Sequence, residues 1–134
     1  MPIVNVSSRL AAIAARDPDG VAVAEPAGRD AHGKRRYRQI SFRQLEDDSN
    51  LLADGLRSLG VAPRTRLVLM VRPSIDFISL VFALFKAGAV TVLIDPGMGR
   101  KNLLRCLAEA EPEGFVAIPL VHAIRSVLRR RFPR

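Results

Sequence analysis

The sequence predicts an α/β fold: a small open parallel sheet with helices on both faces, preceded by an N-terminal β-hairpin. Three observations carry this expectation. From residue 41 onward, helical stretches alternate with short apolar, β-branched runs. Each junction carries a capping residue or a glycine where a helix end needs one. The order strand, helix, strand, helix, strand then implies right-handed crossovers between parallel strands.

Val6, Leu10 and Ile13 fall at i, i+4 and i+7, one apolar stripe of a first helix that ends at Asp17-Pro18-Asp19-Gly20. Val21–Ala24 and Arg36–Ile40 are short strand candidates, and the polar, Gly- and Pro-containing stretch between them predicts a hairpin with a long tip. Ser41 and Gln44 make an S-x-x-Q capping box, in which each side chain can satisfy the other's free backbone N–H, and Ile40 and Leu45 stand at the two positions of a hydrophobic staple. Leu45, Leu52, Leu56 and Leu59 are expected along one face of the helix that follows. Gly60 permits a left-handed closing turn, and Val61 packs back on Leu56.

Arg66–Val71 supplies a central strand, Pro73 ends it, and Ser74 caps a helix over Ile75–Ala87 that is apolar on nearly every side. Gly88 closes that helix. Val90–Ile94 has the uninterrupted β-branched character of a parallel strand covered on both faces. Asn102–Ala110 gives another helix, Phe115–Ile118 a third parallel strand, and Leu120–Arg131 a last helix. Residues 1–40 thus hold the first helix and hairpin, and residues 41–134 the α/β portion, of one domain or subdomain.

Composition bounds the function. With 134 residues and 49% hydrophobic content, the chain can bury one modest core. The 21 Lys plus Arg against 13 Asp plus Glu give +8, which fits an acidic partner or the solvated surface of an ordinary arginine-rich protein. Aromatic residues make up 5%, with one Tyr and no Trp, leaving little material for stacking single-stranded nucleic acid. A single cysteine, Cys106, excludes an intramolecular disulfide and a Cys-based zinc cluster, in keeping with a reducing cytoplasm. MPIVNVSSRL lacks the pattern of a secretory signal. Phe77–Ile94 approaches a membrane-spanning length, but Lys86 in its middle would cost about 2.5–3.5 kcal/mol on insertion, and Gly88 divides a helical from a β-branched texture. A buried helix followed by a strand explains that change.

The motif Y-x-x-I-S-F-x-x-L at Tyr37–Leu45, L-x-x-L-G-V at Leu56–Val61, and F-K-A-G-A-V at Phe85–Val90 followed by Asp95-Pro96 occur in one order and spacing. Together they resemble the opening of the adenylate-forming superfamily, the AMP-dependent synthetases and acyl-CoA ligases, over almost the whole chain. VLIDPGMGRKNLLRCLAEAEPEGFVAIP is most similar to the olefin-pathway β-lactone synthetases, also labelled fatty acyl ligases. Pro63-Arg64-Thr65 departs from the Gly-Asp pair commoner in the superfamily, altering only a turn.

The resemblance implies an ATP- and Mg²⁺-dependent enzyme that adenylates a fatty or β-hydroxy fatty acid. It also implies a Ser/Thr/Gly-rich loop ending in Lys, an aromatic-Gly-x-Thr-Glu segment, a ribose-binding Asp and a mobile C-terminal domain with a catalytic Lys. None of these motifs occurs in this chain. No catalytic, cofactor-binding or metal residue is therefore carried over, and the fragment alone is expected to bind no cofactor and to be inactive.

Four local features offer a functional reading beside a plainer one. Gly97-Met98-Gly99 with Arg100 and Lys101 is either an anion-binding nest or a tight turn, and Asn102 stands where a dinucleotide fingerprint needs its third glycine. His32 and His122 are distant in sequence and read as solvated or capping residues rather than a metal pair. Cys106, among Leu103, Leu104 and Leu107, reads as a small core residue rather than a nucleophile. Lys34-Arg35-Arg36 with Arg38 reads as an exposed loop and strand edge rather than a site of weak phosphate attraction.

In the last helix, Val121, Ile124, Val127 and Leu128 face one way while Arg125 and Arg129–Arg131 add positive charge. It packs on the sheet or lies on an anionic membrane. Two functions follow: the N-terminal piece of an acyl-adenylating ligase, whose partners are the remainder of that ligase and a fatty acyl substrate, or a basic module for an anionic membrane or nucleic acid. No specific nucleic acid and no transmembrane segment is expected. A parallel sheet of three strands leaves an apolar edge, so self-association is expected as well.

Overall fold

The computed structural model of the chain describes residues 5–117. Helix α1 (Ser7–Arg16) leads into an antiparallel hairpin of β1 (Val21–Arg29) and β2 (Arg35–Ser41). Then come α2 (Phe42–Ser58), β3 (Arg66–Met70), α3 (Ile75–Ala87), β4 (Val90–Leu93), a 3₁₀ turn (Pro96–Met98), α4 (Arg100–Ala110) and β5 (Gly114–Ala117). The expected α/β architecture with a small parallel sheet is present. Strand order is β4-β3-β5, with β3 in the centre and both neighbours parallel to it.

Local chemistry sets the boundaries. The Gln44 N–H donates to Ser41 Oγ at 3.2 Å and the Ser41 N–H donates to Gln44 Oε1 at 2.9 Å, so both halves of the capping box form. At the other end of α2, Gly60 lies at φ +91°. Its N–H donates to Arg57 O at 2.9 Å and that of Val61 to Leu56 O at 3.0 Å, the paired bonds of a Schellman motif. Ser74 caps α3 by accepting from the Phe77 N–H at 3.1 Å, and Gly88 closes it in the left-handed region.

The core lies where β3 meets α3. Leu67, Leu69 and Leu84 form its buried centre, flanked by Leu56 from α2, Val61 just beyond its closing turn, Phe77, Leu80 and Val81 from α3, and Val116 from β5. Each fully buried residue of this type contributes about 1.5–3 kcal/mol of transfer free energy.

Four expectations need correction. The strands of the hairpin extend to Arg29 and Arg35, so the polar stretch is ladder rather than a long tip. Backbone pairing there needs no burial, and the residues concerned stand exposed to water. The buried line of α2 is Leu45, Ser49 and Ala53, so small side chains form much of its inner face, while Leu59, just past the helix end, is 85% exposed. Strand β4 is an edge strand among the described residues, paired with β3 alone, and the exposure of Val90 and Leu93 shows that it is not covered along its length on both faces. Finally, α4 buries no residue fully and Cys106 is half-buried, so this thiol is not a core residue. Ile118 and the last helix, Leu120–Arg131, with His122, lie outside the described residues.

Candidate functional site

In open α/β sheets ligands gather at the carboxyl ends of the strands. Here that edge carries residues 71–74 after β3 and residues 94–100 after β4. The Gly97-Met98-Gly99 segment predicted as a nest or a turn is a turn. The Asp95 carboxylate caps it, accepting from the Gly97 N–H at 2.7 Å, and the Met98 N–H donates to Asp95 O at 3.3 Å. The Gly97 amide that an anion would need is thus taken by a carboxylate, whose negative charge also opposes one. Gly99, at φ +83° and ψ 152°, adopts a conformation open almost solely to glycine and starts α4 without a side-chain cap.

The remaining candidates do not converge. His32 sits in the hairpin tip, its backbone N–H donating to Asp30 Oδ1 at 2.9 Å. Cys106 is a free thiol on α4. Among the described residues there is no cluster of three His, Cys, Asp or Glu side chains that could hold a metal ion. Nor is any helix among them long and apolar enough to cross a membrane.

Three polar assemblies escape a reading of motifs, and all of them fix the scaffold. Lys86, inside otherwise apolar α3, reaches α2: its Nζ donates to Glu46 Oε2, Ser49 Oγ and Asn50 Oδ1, each at 2.8 Å, and approaches Glu46 O at 3.2 Å. Its side chain is 10% exposed and that of Glu46 18%. Arg57 adds a bond from Nη2 to Lys86 O at 2.6 Å, covering a carbonyl at the end of α3. Glu25 on β1 pairs with Arg38 at 2.8 Å through Oε1 and accepts the Ile75 N–H at 2.6 Å through Oε2, so the hairpin is pinned to the positive end of α3. Arg66 and Glu113 tie β3 to the start of β5: the Arg66 N–H donates to Glu113 Oε1 at 3.0 Å and the Glu113 N–H to Arg66 O at 2.8 Å. The sequence signal for the first was Lys86 itself, a charge in an apolar helix that needs an acid nearby. For Glu25 and Glu113 no sequence signal marks the partner.

An apolar cleft of about 700 Å³ lies where α1 and β1 meet α2 and α3, lined by Leu10, Ile13, Phe42, Leu45, Ile78 and Phe82 among others. Among the described residues Arg9 is the one charged side chain in its lining, and none there offers a nucleophile, acid or base. What the geometry provides is therefore a braced α/β platform with its carboxyl edge open, and no assembled chemistry among the described residues.

The model of AMP-binding enzymes matches residues 10–131. An olefin β-lactone synthetase of Stenotrophomonas maltophilia is 46% identical over 127 residues, covering 93% of this chain and 23% of the relative. One of Xanthomonas campestris is 43% identical over 128 residues, covering 95% and 23%. The chain thus spans about a quarter of the length of these curated relatives. Among solved structures, the N-terminal subdomain of Klebsiella oxytoca NpsA in complex with 3-hydroxyanthranilyl-AMSN aligns with a TM-score of 0.74 at 21% identity, over 87% of this chain and 28% of that one. The N-terminal domain of Mycobacterium tuberculosis FACL13 aligns with a TM-score of 0.73 at 23% identity, over 92% and 31%. At these identities the structures establish the fold, which is that of the N-terminal subdomain of adenylating enzymes.

Proposed function

The chain belongs to the AMP-binding enzyme family, and from that premise we propose that it forms the opening part of an ATP-dependent ligase that converts a β-hydroxy fatty acid into a β-lactone. The observation that carries this reading is the 46% identity to an olefin β-lactone synthetase along 93% of the chain. In that reaction the carboxylate oxygen attacks the α-phosphorus of ATP and pyrophosphate leaves. The substrate's own β-hydroxyl oxygen then attacks the acyl carbon, loses its proton, and AMP departs as the C–O bond to phosphate breaks.

In this reading none of the described residues is assigned a contact with those atoms. Its role is positional: β3, β4 and the caps of α2 and α3 hold a rigid edge against which the nucleotide- and acyl-binding segments of a longer polypeptide seat. Pre-organised donors aimed at developing charge supply most of the rate in such sites, and they must come from the motifs this sequence lacks. A cytoplasmic setting accords with the lone cysteine.

The test is release of pyrophosphate by the purified chain with ATP, Mg²⁺ and a β-hydroxy fatty acid. We expect none above a heat-treated control. Sustained, substrate-dependent release would overturn the assignment of a purely positional role.

A further inference from the structure

The hairpin carries charge that the fold does not use. Arg29 on β1 and Arg35 on β2 stand directly opposite each other in the ladder, a like-charge pair that disfavours the hairpin unless something neutralises it. Lys34 and Arg36 flank them, and all four are exposed. The acids within reach are engaged elsewhere. Glu25 is held by Arg38 and the Ile75 N–H, and Asp30 Oδ1 accepts the His32 and Lys34 N–H groups, which shapes the turn. Among the described residues, none of the four cations has an acidic partner. Arg29 donates from Nη1 to Gly33 O at 2.7 Å, which holds its guanidinium at the tip.

The face is not only cationic. In the register, Pro26 pairs with Tyr37 two positions along β2 from Arg35, so Pro26, Tyr37, Arg29 and Arg35 share one side of the ribbon. Tyr37 is 51% exposed. An aromatic ring with a polar tip beside arginines, on a ribbon standing in water, is the composition that settles at the headgroup level of a bilayer. A groove reader of nucleic acid would need amide or further base-contacting side chains, and Gln39 is the one amide on the strands of this hairpin.

We propose that this hairpin face, through Arg29, Arg35 and Tyr37, is a docking surface for an anionic phospholipid bilayer. The inference stands independently of the acyl substrate proposed above. Near such a surface each basic residue is worth about 1 kcal/mol, or roughly fivefold in partitioning, so the arm alone gives reversible, salt-sensitive attachment.

The experiment is co-sedimentation of the full chain with phosphatidylcholine vesicles, with and without phosphatidylglycerol, at low and at physiological salt. The variants are R29Q/R35Q, Y37A and, as a control for the other basic segment, R129Q/R130Q/R131Q. Circular dichroism of each variant checks that it folds. Expected is binding to the anionic vesicles alone, weakened by salt, lowered on the order of 25-fold in R29Q/R35Q, lowered in Y37A, and retained in the control. Binding that survives R29Q/R35Q, that is abolished in the control instead, or that duplex DNA supports more tightly than vesicles at the same salt would overturn the proposal.

Discussion

Replacing Lys86 by Met probes the joint between α2 and α3. The Lys86 Nζ lies 2.8 Å from Glu46 Oε2, and the two side chains are 10% and 18% exposed. At an effective dielectric near 20, a pair at that distance attracts by about 6 kcal/mol, most of which offsets the desolvation of the two ions. Removing one partner exposes the other term: Glu46 keeps its desolvation cost and loses its counter-ion. Breaking a fully buried pair costs about 3–5 kcal/mol.

Glu46 retains some water and the Asn50 Nδ2 bond at 3.2 Å, so about 2–3 kcal/mol is expected for K86M. The companion K86M/E46L replaces both ions by apolar groups and should lie within about 1 kcal/mol of the parent. Ser49 Oγ stays satisfied there, because it also donates to Glu46 O at 3.1 Å. Urea denaturation of the four members of the cycle is the assay, provided the slopes agree. A K86M cost below about 0.5 kcal/mol, or effects that simply add in the double variant, would refute the reasoning.

Further outcomes follow from the same geometry. Gly88 sits at φ +73°, and an added Cβ would meet Pro63 at 3.4 Å, so G88A should cost about 1–2 kcal/mol by urea titration. E25Q removes both the charge facing Arg38 and the anionic acceptor of the Ile75 N–H, for about 0.5–2 kcal/mol. Hydrogen exchange should then speed up in the hairpin amides before those of β3, and unchanged hairpin protection would count against its role as the pin. Strand β4 presents exposed Val90 and Leu93 on an unpaired edge among the described residues, so the chain should associate as concentration rises and L93K should reduce this. Sedimentation velocity reads the effect, and a monomer at every concentration would contradict it.

The sequence disclosed the parts of the fold governed by local chemistry. Ser41 with Gln44, Ser74, Gly60 and Gly88 each act through atoms within a few residues, so the motif and the structure coincide. What depends on distant packing departs from the sequence pattern. The leucine at position 59 fits a helical stripe yet is exposed: it stands just past the end of α2, whose buried line runs through Leu45, Ser49 and Ala53. Likewise, Val90–Leu93 has the composition of a buried strand but lies at the edge, since propensity reports a side chain's fit to a sheet and not which strands lie beside it. The polar pins were least legible, for Glu25 and Ile75 are separated by fifty positions. At the candidate site the motifs alone could not decide between nest and turn at Gly97, which rests on where the Asp95 carboxylate lies.

The central claim is that this chain supplies the scaffold of a β-lactone-forming ligase and that the chemistry resides in segments it does not contain. The most direct measurement replaces the matching 127 residues of the Stenotrophomonas maltophilia olefin β-lactone synthetase with this chain and follows β-lactone and AMP formation from ATP and a β-hydroxy fatty acid. A folded chimera that forms both is expected. A chimera that folds and binds nucleotide but forms no β-lactone would contradict it.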